Sequence, residues 1–198
     1  TNSKSIHPTP VIGGIGIIND LKRITNIKAK ENGNLIIIVG KTIGHLGQSA
    51  FLCENYSINN GSPPEVNLLN EKNNGLAVLE LIKKGIAISV HDISSGGMLV
   101  SLAEMSMSSG LGLKIYKPKK LKNFYEYFFG EDQGRYLIEI SKNNLKYLEK
   151  FFKKNNVFHE IIAEVQNDTF EIEDLFSLKT KDLQICNNKW YKDFNAIN

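Results

Sequence analysis

Short apolar runs alternate along the chain with longer segments in which apolar residues recur at helical spacing. The clearest run, Leu35–Val39, lies between two glycines, and its unbroken hydrophobicity predicts a strand buried on both faces. Residues 111–116 are predicted to form an edge strand, and residues 161–165 and 169–172 a closing hairpin. Further strands are predicted at residues 86–90 and 135–140, and a glycine-interrupted strand at residues 11–18.

Helical periodicity is clearest after Asn67, which is a predicted N-cap. The helix is predicted to end at Lys83-Lys84-Gly85, and its apolar stripe consists of Leu68, Leu69, Leu76, Leu79 and Ile82. Other helices are predicted after Ser49 and at residues 98–108, 145–154 and 179–194. This alternation predicts an α/β fold, a three-layer sandwich of a mixed sheet with helices. A boundary near residue 30 is predicted to separate a tail, residues 1–30, from a compact unit, residues 31–198.

The composition is that of an ordinary globular protein. Of its 198 residues, 41% are hydrophobic and 23% are charged. A chain of this length can bury a hydrophobic core. Its 24 Lys and Arg residues are spread among 21 acidic residues. The densest basic cluster, Lys119, Lys120 and Lys122, is predicted to be a solvated loop, so we expect no nucleic-acid partner.

Cysteine usage and hydropathy bear on the cellular compartment. Cys53 and Cys186 form no paired motif, which predicts neither a zinc site nor a disulfide framework. No apolar run approaches the roughly 20 residues that span a bilayer, and the first residues do not resemble a signal peptide. We therefore expect a cytoplasmic protein with no membrane partner.

The first candidate for chemistry is residues 90–97, Val-His-Asp-Ile-Ser-Ser-Gly-Gly, where a predicted strand leads through a glycine turn into a helix. Ligands of α/β proteins bind at this edge of the sheet. Gly96 and Gly97 leave backbone N–H groups and the positive end of the helix dipole accessible to an anion. Asp92 is a candidate Mg²⁺ ligand, and His91 a candidate donor to a phosphate oxygen. The alternative is that His91 and Asp92 only cap the turn and each other.

The second candidate is residues 128–135, Phe-Phe-Gly-Glu-Asp-Gln-Gly-Arg, where three polar residues stand between an aromatic pair and a strand. Burial of Glu131, Asp132 and Gln133 would require partners. They are candidates to bind sugar hydroxyls, an amide or a cation, with Arg135 neutralising their charge. A hairpin or bulge held by an internal Arg–carboxylate pair is an equally open interpretation.

The third candidate is residues 44–49, Gly-His-Leu-Gly-Gln-Ser, which precede a predicted helix. Gly47 and Gln48 are candidate phosphate contacts, but the segment lacks the lysine of a P-loop. An ordinary tight turn followed by an N-cap is the favoured interpretation. The histidines at positions 7, 45 and 159 have no spacing that suggests a metal site.

Taken in order, these segments resemble the final quarter of the phosphoribosylformylglycinamidine synthase (PurL) family of purine biosynthesis. The resemblance begins with Pro-Thr-Pro-Val-Ile-Gly-Gly-Ile-Gly at residues 8–16 and runs at least to Arg135. It includes Gly-Ser-Pro-Pro at residues 61–64 and Leu-Ala-Glu-Met at residues 102–105. The ordered set resembles the second carboxy-type module of that family, which is similar to the carboxy-terminal domain of PurM. Beyond Lys142 only the order of the elements is similar.

The resemblance implies a fold, a reaction and partners. Residues 1–30 would be the last strand and linker of an amino-type module, and residues 31–198 a PurM C-terminal-like module. Family members are ATP-dependent carbon–nitrogen ligases: ATP activates formylglycinamide ribonucleotide, a nucleotide substrate, and glutamine-derived ammonia then displaces phosphate to give the amidine. The implied cofactors are Mg²⁺ and ATP or ADP, and the implied partners are upstream PurL domains and a glutaminase subunit or domain. The family's catalytic histidine lies upstream, so this chain contains no catalytic residue and is expected to be inactive alone.

Position by position, the carry-over is limited. Asp92 matches a Mg²⁺-binding Asp of the family's first carboxy-type module, and Glu131-Asp132-Gln133 match its substrate-binding Glu-Ser-Gln, with Asp132 in place of Ser. We expect these residues, with Gly96 and Gly97, to line a pseudo-equivalent pocket that holds a structural nucleotide, or nothing, instead of substrate.

Two other functions stay open at this point. One is another ATP-dependent enzyme of the PurM superfamily, such as aminoimidazole ribonucleotide synthetase, selenophosphate synthetase, thiamine-phosphate kinase or a hydrogenase-maturation protein. The other is a non-catalytic interaction module in which the polar motifs are structural. The latter predicts that nucleotide leaves the melting temperature of the full assembly unchanged.

Overall fold

The structure is a computed structural model that describes residues 12–18, 20–118 and 123–196. Its centre is a seven-stranded mixed sheet with the order β2-β4-β1-β5-β3-β6-β7. Only β3 and β6 pair in parallel; the other neighbours are antiparallel. The strands are β1 (Leu35–Val39), β2 (Ser89–Asp92), β3 (Gly112–Ile115), β4 (Tyr136–Ile140), β5 (His159–Gln166), β6 (Thr169–Ile172) and β7 (Phe176–Lys179).

Helices cover both faces of the sheet. They are α1 (Ala50–Tyr56), α2 (Leu68–Lys83), α3 (Gly97–Ser109), α4 (Phe124–Phe129), α5 (Leu145–Asn155) and α6 (Thr180–Ala196). One hydrophobic core packs β-strand side chains against α3 and α4, and a second packs them against α2 and α5. Two cores on opposite faces of one sheet make three layers, which confirms the predicted α/β sandwich.

Strand β1 is buried on both faces, as its continuous apolar run predicted. All five of its residues are buried. Because successive side chains of a strand point to opposite faces, Ile36 and Ile38 join one core while Leu35, Ile37 and Val39 join the other. Coverage of both faces explains why every residue of β1 is apolar.

Three strand predictions are wrong in position or pairing. The strand predicted at residues 86–90 lies at Ser89–Asp92, so His91 and Asp92 belong to it, and it is an edge strand paired only with β4. The predicted edge strand at residues 111–116 is internal, between β5 and β6. The predicted hairpin is absent because β5 and β6 lie on opposite sides of β3. The connection between them crosses the start of β3, where a Cβ on Gly112 would overlap the backbone of Thr169.

Helix α2 begins as predicted but faces the other way. The Asn67 side chain accepts a hydrogen bond from Asn70 N, as an N-cap does. The face that packs on the sheet carries Ala77, Val78 and Leu81, all buried. The predicted apolar stripe is instead largely exposed, with Leu68, Leu69, Leu76 and Leu79 on the outer surface.

The N-terminal segment has no regular secondary structure at residues 12–18 and lies outside the sheet. Residues 12–18 form no strand in the described part of the chain, and their isoleucines are exposed. A strand needs a hydrogen-bonded neighbour, and none of the described strands lies beside this segment. The Asn26 carbonyl, which accepts a hydrogen bond from Val90 N, ties the following residues to the compact unit. The boundary at residue 30 stays a prediction, and the basic cluster at 119–122 lies outside the described residues.

Among the described helices, none is long and apolar enough to cross a membrane.

Candidate functional site

The three candidate segments meet at one edge of the sheet. The last residues of β1 and β2, Val39 and Asp92, both pair with Tyr136, the first residue of β4, from opposite sides. The turn at residues 130–135, which leads into β4, therefore stands between the loops that leave β1 and β2. The register of three strands thus places all three motifs close together.

Asp132 is buried in this turn and binds the loop that follows β1. Its Oδ2 accepts hydrogen bonds of 2.9 Å from both Ile43 N and Gly44 N, and its Oδ1 accepts one of 3.1 Å from His45 N. Only 6% of Asp132 is exposed. Three successive backbone donors thus fill most of the capacity of this carboxylate, which fixes the loop before α1.

Arg135 is the buried cation of the turn. Its guanidinium donates to the Asp132 carbonyl at 3.1 Å, to the Gly130 carbonyl at 2.6 Å and to Thr42 Oγ1 at 3.1 Å. Nη1 also lies 3.7 Å from Asp132 Oδ2. Burial lowers the pKa of Arg135 from its ordinary value, and the neighbouring Asp132 carboxylate opposes that shift. The internal Arg–carboxylate pair expected as the structural interpretation is therefore present.

Glu131 joins the beginnings of two helices. Its Oε1 accepts hydrogen bonds of 2.8 Å from Ala50 N, the first residue of α1, and from Gly96 N, the N-cap of α3. Unpaired N–H groups and the positive end of the dipole favour an anion at a helix start. The anion at the start of α3 is thus a carboxylate of this chain.

The backbone conformation and the close packing at the start of α3 both require glycine at positions 96 and 97. Both have positive φ, +83° and +72°, which side chains rarely adopt. A Cβ on Gly97 would lie 2.6 Å from the Phe129 carbonyl carbon. The glycine pair therefore lets the start of α3 pack directly against the end of α4, beneath the 130–135 turn.

His91 lies between two carboxylates at the edge of the sheet. Its Nε2 is 2.9 Å from Glu104 Oε2 on α3, and its Nδ1 is 3.3 Å from Asp92 Oδ1. The imidazole is mostly buried, with 12% of the side chain exposed. Both ring nitrogens are engaged within the chain, so contact with a phosphate would require one of these pairs to open.

The Asp92 side chain is open to solvent, with 67% of it exposed, whereas only 12% of the neighbouring His91 side chain is exposed. No group of three or more His, Cys, Asp or Glu residues within the described ranges has the geometry of a metal site. Mg²⁺ often takes one or two protein carboxylates and completes its shell with water and phosphate oxygens. The exposed carboxylate fits that donor set as a single ligand.

A polar cleft of about 390 Å³ opens beside the turn. Gln133, exposed where Glu131 and Asp132 are internally bound, lines it together with Lys41 and His45. Three asparagines from the start of α2 complete the opposite wall, namely Asn67, Asn70 and Asn74. The cleft carries the Lys41 ammonium group, the His45 imidazole and several amides, and its lining also includes the carboxylates of Glu65 and Glu71. Donors and acceptors are therefore both present, which suits a polar ligand.

Gly47 and Gln48 lie away from this cleft and bind the following loop. Gln48 has a φ of +56°, and its Nε2 donates to the Gly61 carbonyl at 2.7 Å. His45 Nε2 lies 2.8 Å from the Ser62 carbonyl oxygen. Ser49 then caps α1 through Leu52 N, which matches the expected tight turn and N-cap. A phosphate contact at Gly47 or Gln48 stays a prediction.

Sequence reasoning missed Glu139, a fully buried carboxylate in the middle of β4. It accepts from Lys30 N and Glu31 N, from Asn34 Nδ2 at 2.8 Å and from Ser89 Oγ at 2.9 Å. Glu139 therefore links residues 30–34 and the start of β2 to β4. The signal available in the sequence was a single acidic residue inside the apolar strand Tyr136–Ile140.

Lys41, Asn67, Asn70 and Asn74 were also absent from the predicted site. Asn67 was recognised only as a helix cap, and nothing in the local pattern of the others distinguishes them from surface polar residues. Asn74 is 8% exposed and donates to the Gly134 carbonyl, so it supports the turn as well as the cleft.

Residues 31–174 match the family described as AIR synthase related protein, C-terminal domain. The PurL subunit of phosphoribosylformylglycinamidine synthase from Pelagibacter ubique is 40% identical over 194 residues, 98% of this chain and 27% of that protein. The subunit from Bartonella bacilliformis is 38% identical over the same share of this chain and 26% of its own length. The chain thus spans about a quarter of the relatives it matches.

Solved structures share the fold. Thermotoga maritima PurL complexed with FGAR superposes with a TM-score of 0.68 at 19% identity, over 83% of this chain and 30% of that one. The same protein complexed with ATP gives a TM-score of 0.64 at 18% identity, over 83% and 28%. Escherichia coli HypE, a hydrogenase maturation protein, gives 0.55 at 15% identity, over 78% and 50%.

Proposed function

The chain belongs to the AIR synthase related protein, C-terminal domain family, and we propose that it is the carboxy-terminal part of a phosphoribosylformylglycinamidine synthase. The observation that carries this proposal is 40% identity across 98% of the chain to a PurL subunit. The complete enzyme would be an ATP- and Mg²⁺-dependent ligase of the cytoplasm. It would convert formylglycinamide ribonucleotide to the amidine with ammonia from a glutaminase subunit or domain.

Within that enzyme, we assign this chain a ligand-binding edge and no catalytic residue. Gln133, together with Lys41 and His45, lines the cleft that would receive a phosphorylated ligand. Glu131 and Asp132 are not assigned a direct ligand contact, because their carboxylates already accept backbone hydrogen bonds. They would hold Gln133 and the start of α3 in position.

Asp92 is the proposed Mg²⁺ ligand of this edge. Bound Mg²⁺ would neutralise phosphate oxygens of a nucleotide. The accessible carboxylate, anchored by strand pairing to Tyr136 and adjacent to His91, supports the assignment. His91, Gly96 and Gly97 are also proposed to contact phosphate. This contact would require His91 to release Asp92 or Glu104, and Glu131 to release Gly96 N.

Complementation tests the assignment to the enzyme. The full-length gene should restore growth of a purine auxotroph that lacks formylglycinamidine synthase. Failure of a well-expressed full-length protein to restore growth would contradict the assignment.

Nucleotide stabilisation tests the edge. ADP and Mg²⁺ at about 100 times the dissociation constant should stabilise the full-length protein by about 2.7 kcal/mol, and this gain should shrink in Asp92→Ala and Gln133→Ala. Asn73→Ala, an exposed polar residue of α2 that does not line the cleft, is the control. If both edge variants bind nucleotide as the control does, the edge assignment is wrong.

A non-catalytic interaction module is the second candidate function. The internal hydrogen bonds of Glu131 and Asp132 favour it, because they explain both acidic residues without a ligand. This alternative predicts the same melting temperature of the full-length protein with and without nucleotide.

A further inference from the structure

We propose that Asn60 is a site of spontaneous covalent modification, at which the side-chain amide is lost and the residue becomes aspartate or isoaspartate. The site is in the loop at residues 57–67, which connects α1 to α2. The inference goes beyond the proposed function and does not depend on it, because it concerns the chemistry of one peptide bond in this chain.

An asparagine that is followed by glycine can lose ammonia without an enzyme. The glycine nitrogen attacks the side-chain carbonyl carbon of the asparagine, a C–N bond forms, and the side-chain nitrogen leaves as ammonia with the proton of the glycine N–H group. Water then opens the resulting five-membered succinimide ring at either carbonyl, which gives aspartate or isoaspartate. Glycine permits the attack because it has no side chain to hinder ring closure and its backbone is flexible.

The chain contains this dipeptide at three places, Asn32-Gly33, Asn60-Gly61 and Asn74-Gly75. The dipeptide itself does not distinguish them. Ring closure requires a glycine nitrogen and an asparagine side chain that can both move, so the hydrogen bonds around each pair decide which one reacts.

Asn32-Gly33 is held at both reacting groups. Gly33 N donates a hydrogen bond of 2.8 Å to the Val165 carbonyl, and Asn32 Nδ2 donates one of 2.8 Å to Asn167 Oδ1. The nitrogen that would attack and the amide that would leave are therefore both bound to the end of β5 and the residues that follow it. Reaction at this pair requires both hydrogen bonds to break.

Asn74-Gly75 lies inside helix α2. Because a helical N–H group donates to the carbonyl four residues earlier, Gly75 N is not free to attack. Asn74 is only 8% exposed, and its Nδ2 donates to the Gly134 carbonyl at 2.9 Å. Ring closure here would require α2 to unwind beside the 130–135 turn.

Asn60-Gly61 has neither restraint. Both residues are exposed, and the loop that contains them has no helix or strand. Among the described residues, none accepts a hydrogen bond from Gly61 N and none is bonded to the side-chain amide of Asn60. The structure therefore leaves the reacting groups of this pair free while it holds those of the other two.

Isoaspartate at position 60 would disturb the loop at residues 45–48. Gln48 N donates to the Asn60 carbonyl at 3.2 Å, and Gln48 Nε2 donates to the Gly61 carbonyl at 2.7 Å. In isoaspartate the main chain runs through the former side-chain carbon, one methylene longer, and the former Asn60 carbonyl becomes a free carboxylate. The spacing of the two acceptors of Gln48 would change, whereas aspartate would leave the path of the backbone as it is.

Peptide mass spectrometry of the full-length protein, aged in its folded state, tests the proposal. Cleavage after lysine places the three asparagines in separate peptides, residues 31–41, 42–72 and 73–83. Deamidation at Asn60 should be about tenfold or more faster than at Asn32 or Asn74, because those two react only after local opening. Protein aged in denaturant is the control, in which the three rates should become similar.

A variant identifies the reacting residue. Asn60→Gln cannot close a five-membered ring and should remove the fast deamidation from residues 42–72, while the other two peptides behave as in the wild-type protein. Similar rates at all three pairs in the folded protein would overturn the proposal. An Asn60 that stays intact in the folded protein but deamidates in denaturant would overturn it as well.

Discussion

Replacing Asp132 with alanine should loosen the loop at residues 43–45 more than any other single change in the turn. The variant loses the acceptor of three backbone N–H groups and leaves the Arg135 guanidinium, which is buried, without its carboxylate neighbour. A hydrogen bond to a charged group contributes about 1.5–3 kcal/mol, and breaking a buried ion pair costs about 3–5 kcal/mol. These effects share partners and do not add, so we expect a loss of about 4–6 kcal/mol.

Native-state hydrogen exchange of the full-length protein measures this loss where it occurs. The amides of Ile43, Gly44 and His45 should exchange with a correspondingly lower opening free energy in Asp132→Ala. Asp132→Asn keeps one acceptor oxygen and should lose about half as much. Gln133→Ala, an exposed neighbour in the same turn, is the control. A change of less than about 1 kcal/mol in Asp132→Ala would refute the role assigned to this carboxylate.

Three further predictions concern other contacts. Glu131→Gln should weaken the start of α3 by about 1–2 kcal/mol, seen as faster exchange of the Gly96 amide, and unchanged exchange would contradict the shared cap. Gly112→Ala should destabilise the fold by about 2 kcal/mol or more in urea titrations, because the crossing connection leaves no room for a Cβ. A hydrogen bond from Lys142 lowers the pKa of Glu164 below its ordinary 4.5, so this pair stabilises the fold above that pH and the contribution is lost as acid titrates the folded carboxylate. NMR titration should show a smaller shift of the Glu164 pKa in Lys142→Ala, where only Tyr116 and Lys114 still lower it.

Elements defined by local signals were predictable from the sequence. The buried strand β1 followed from an unbroken β-branched run, and the start of α2 from an Asn N-cap that makes the expected bond. Helix α5 likewise lies where it was predicted, at residues 145–154, and buries Leu148, Phe151 and Phe152. In each case the physical cause lies within a few residues along the chain.

Elements whose position depends on residues far away in the sequence were not predictable from it. Helix α2 carries apolar residues on two sides, and no local pattern says which side meets the sheet. The short connection between β5 and β6 favoured a hairpin, yet β3 lies between the two strands and Gly112 makes the crossing possible. The strand β2 begins three residues and ends two residues later than predicted because of its pairing with β4, which follows it by about 45–50 residues along the chain.

The candidate site was likewise predictable only in part. The motifs containing His91, Asp132 and Gln48 could be recognised as polar segments because each follows a strand or precedes a helix, and their binding roles stay predictions. Which of their groups are free for a ligand depends on tertiary hydrogen bonds. Glu131 and Asp132 are bound within the chain, whereas Gln133 between them and the strand is exposed.

The most direct test of the proposed function is the reaction itself. Purified full-length protein, supplied with formylglycinamide ribonucleotide, ATP, Mg²⁺ and an ammonium salt, should form the amidine product in step with ADP, as measured by mass spectrometry. Asp132→Ala should reduce this rate while Asn73→Ala retains it. Folded full-length protein that forms no amidine under these conditions would contradict the assignment of this chain to a formylglycinamidine synthase.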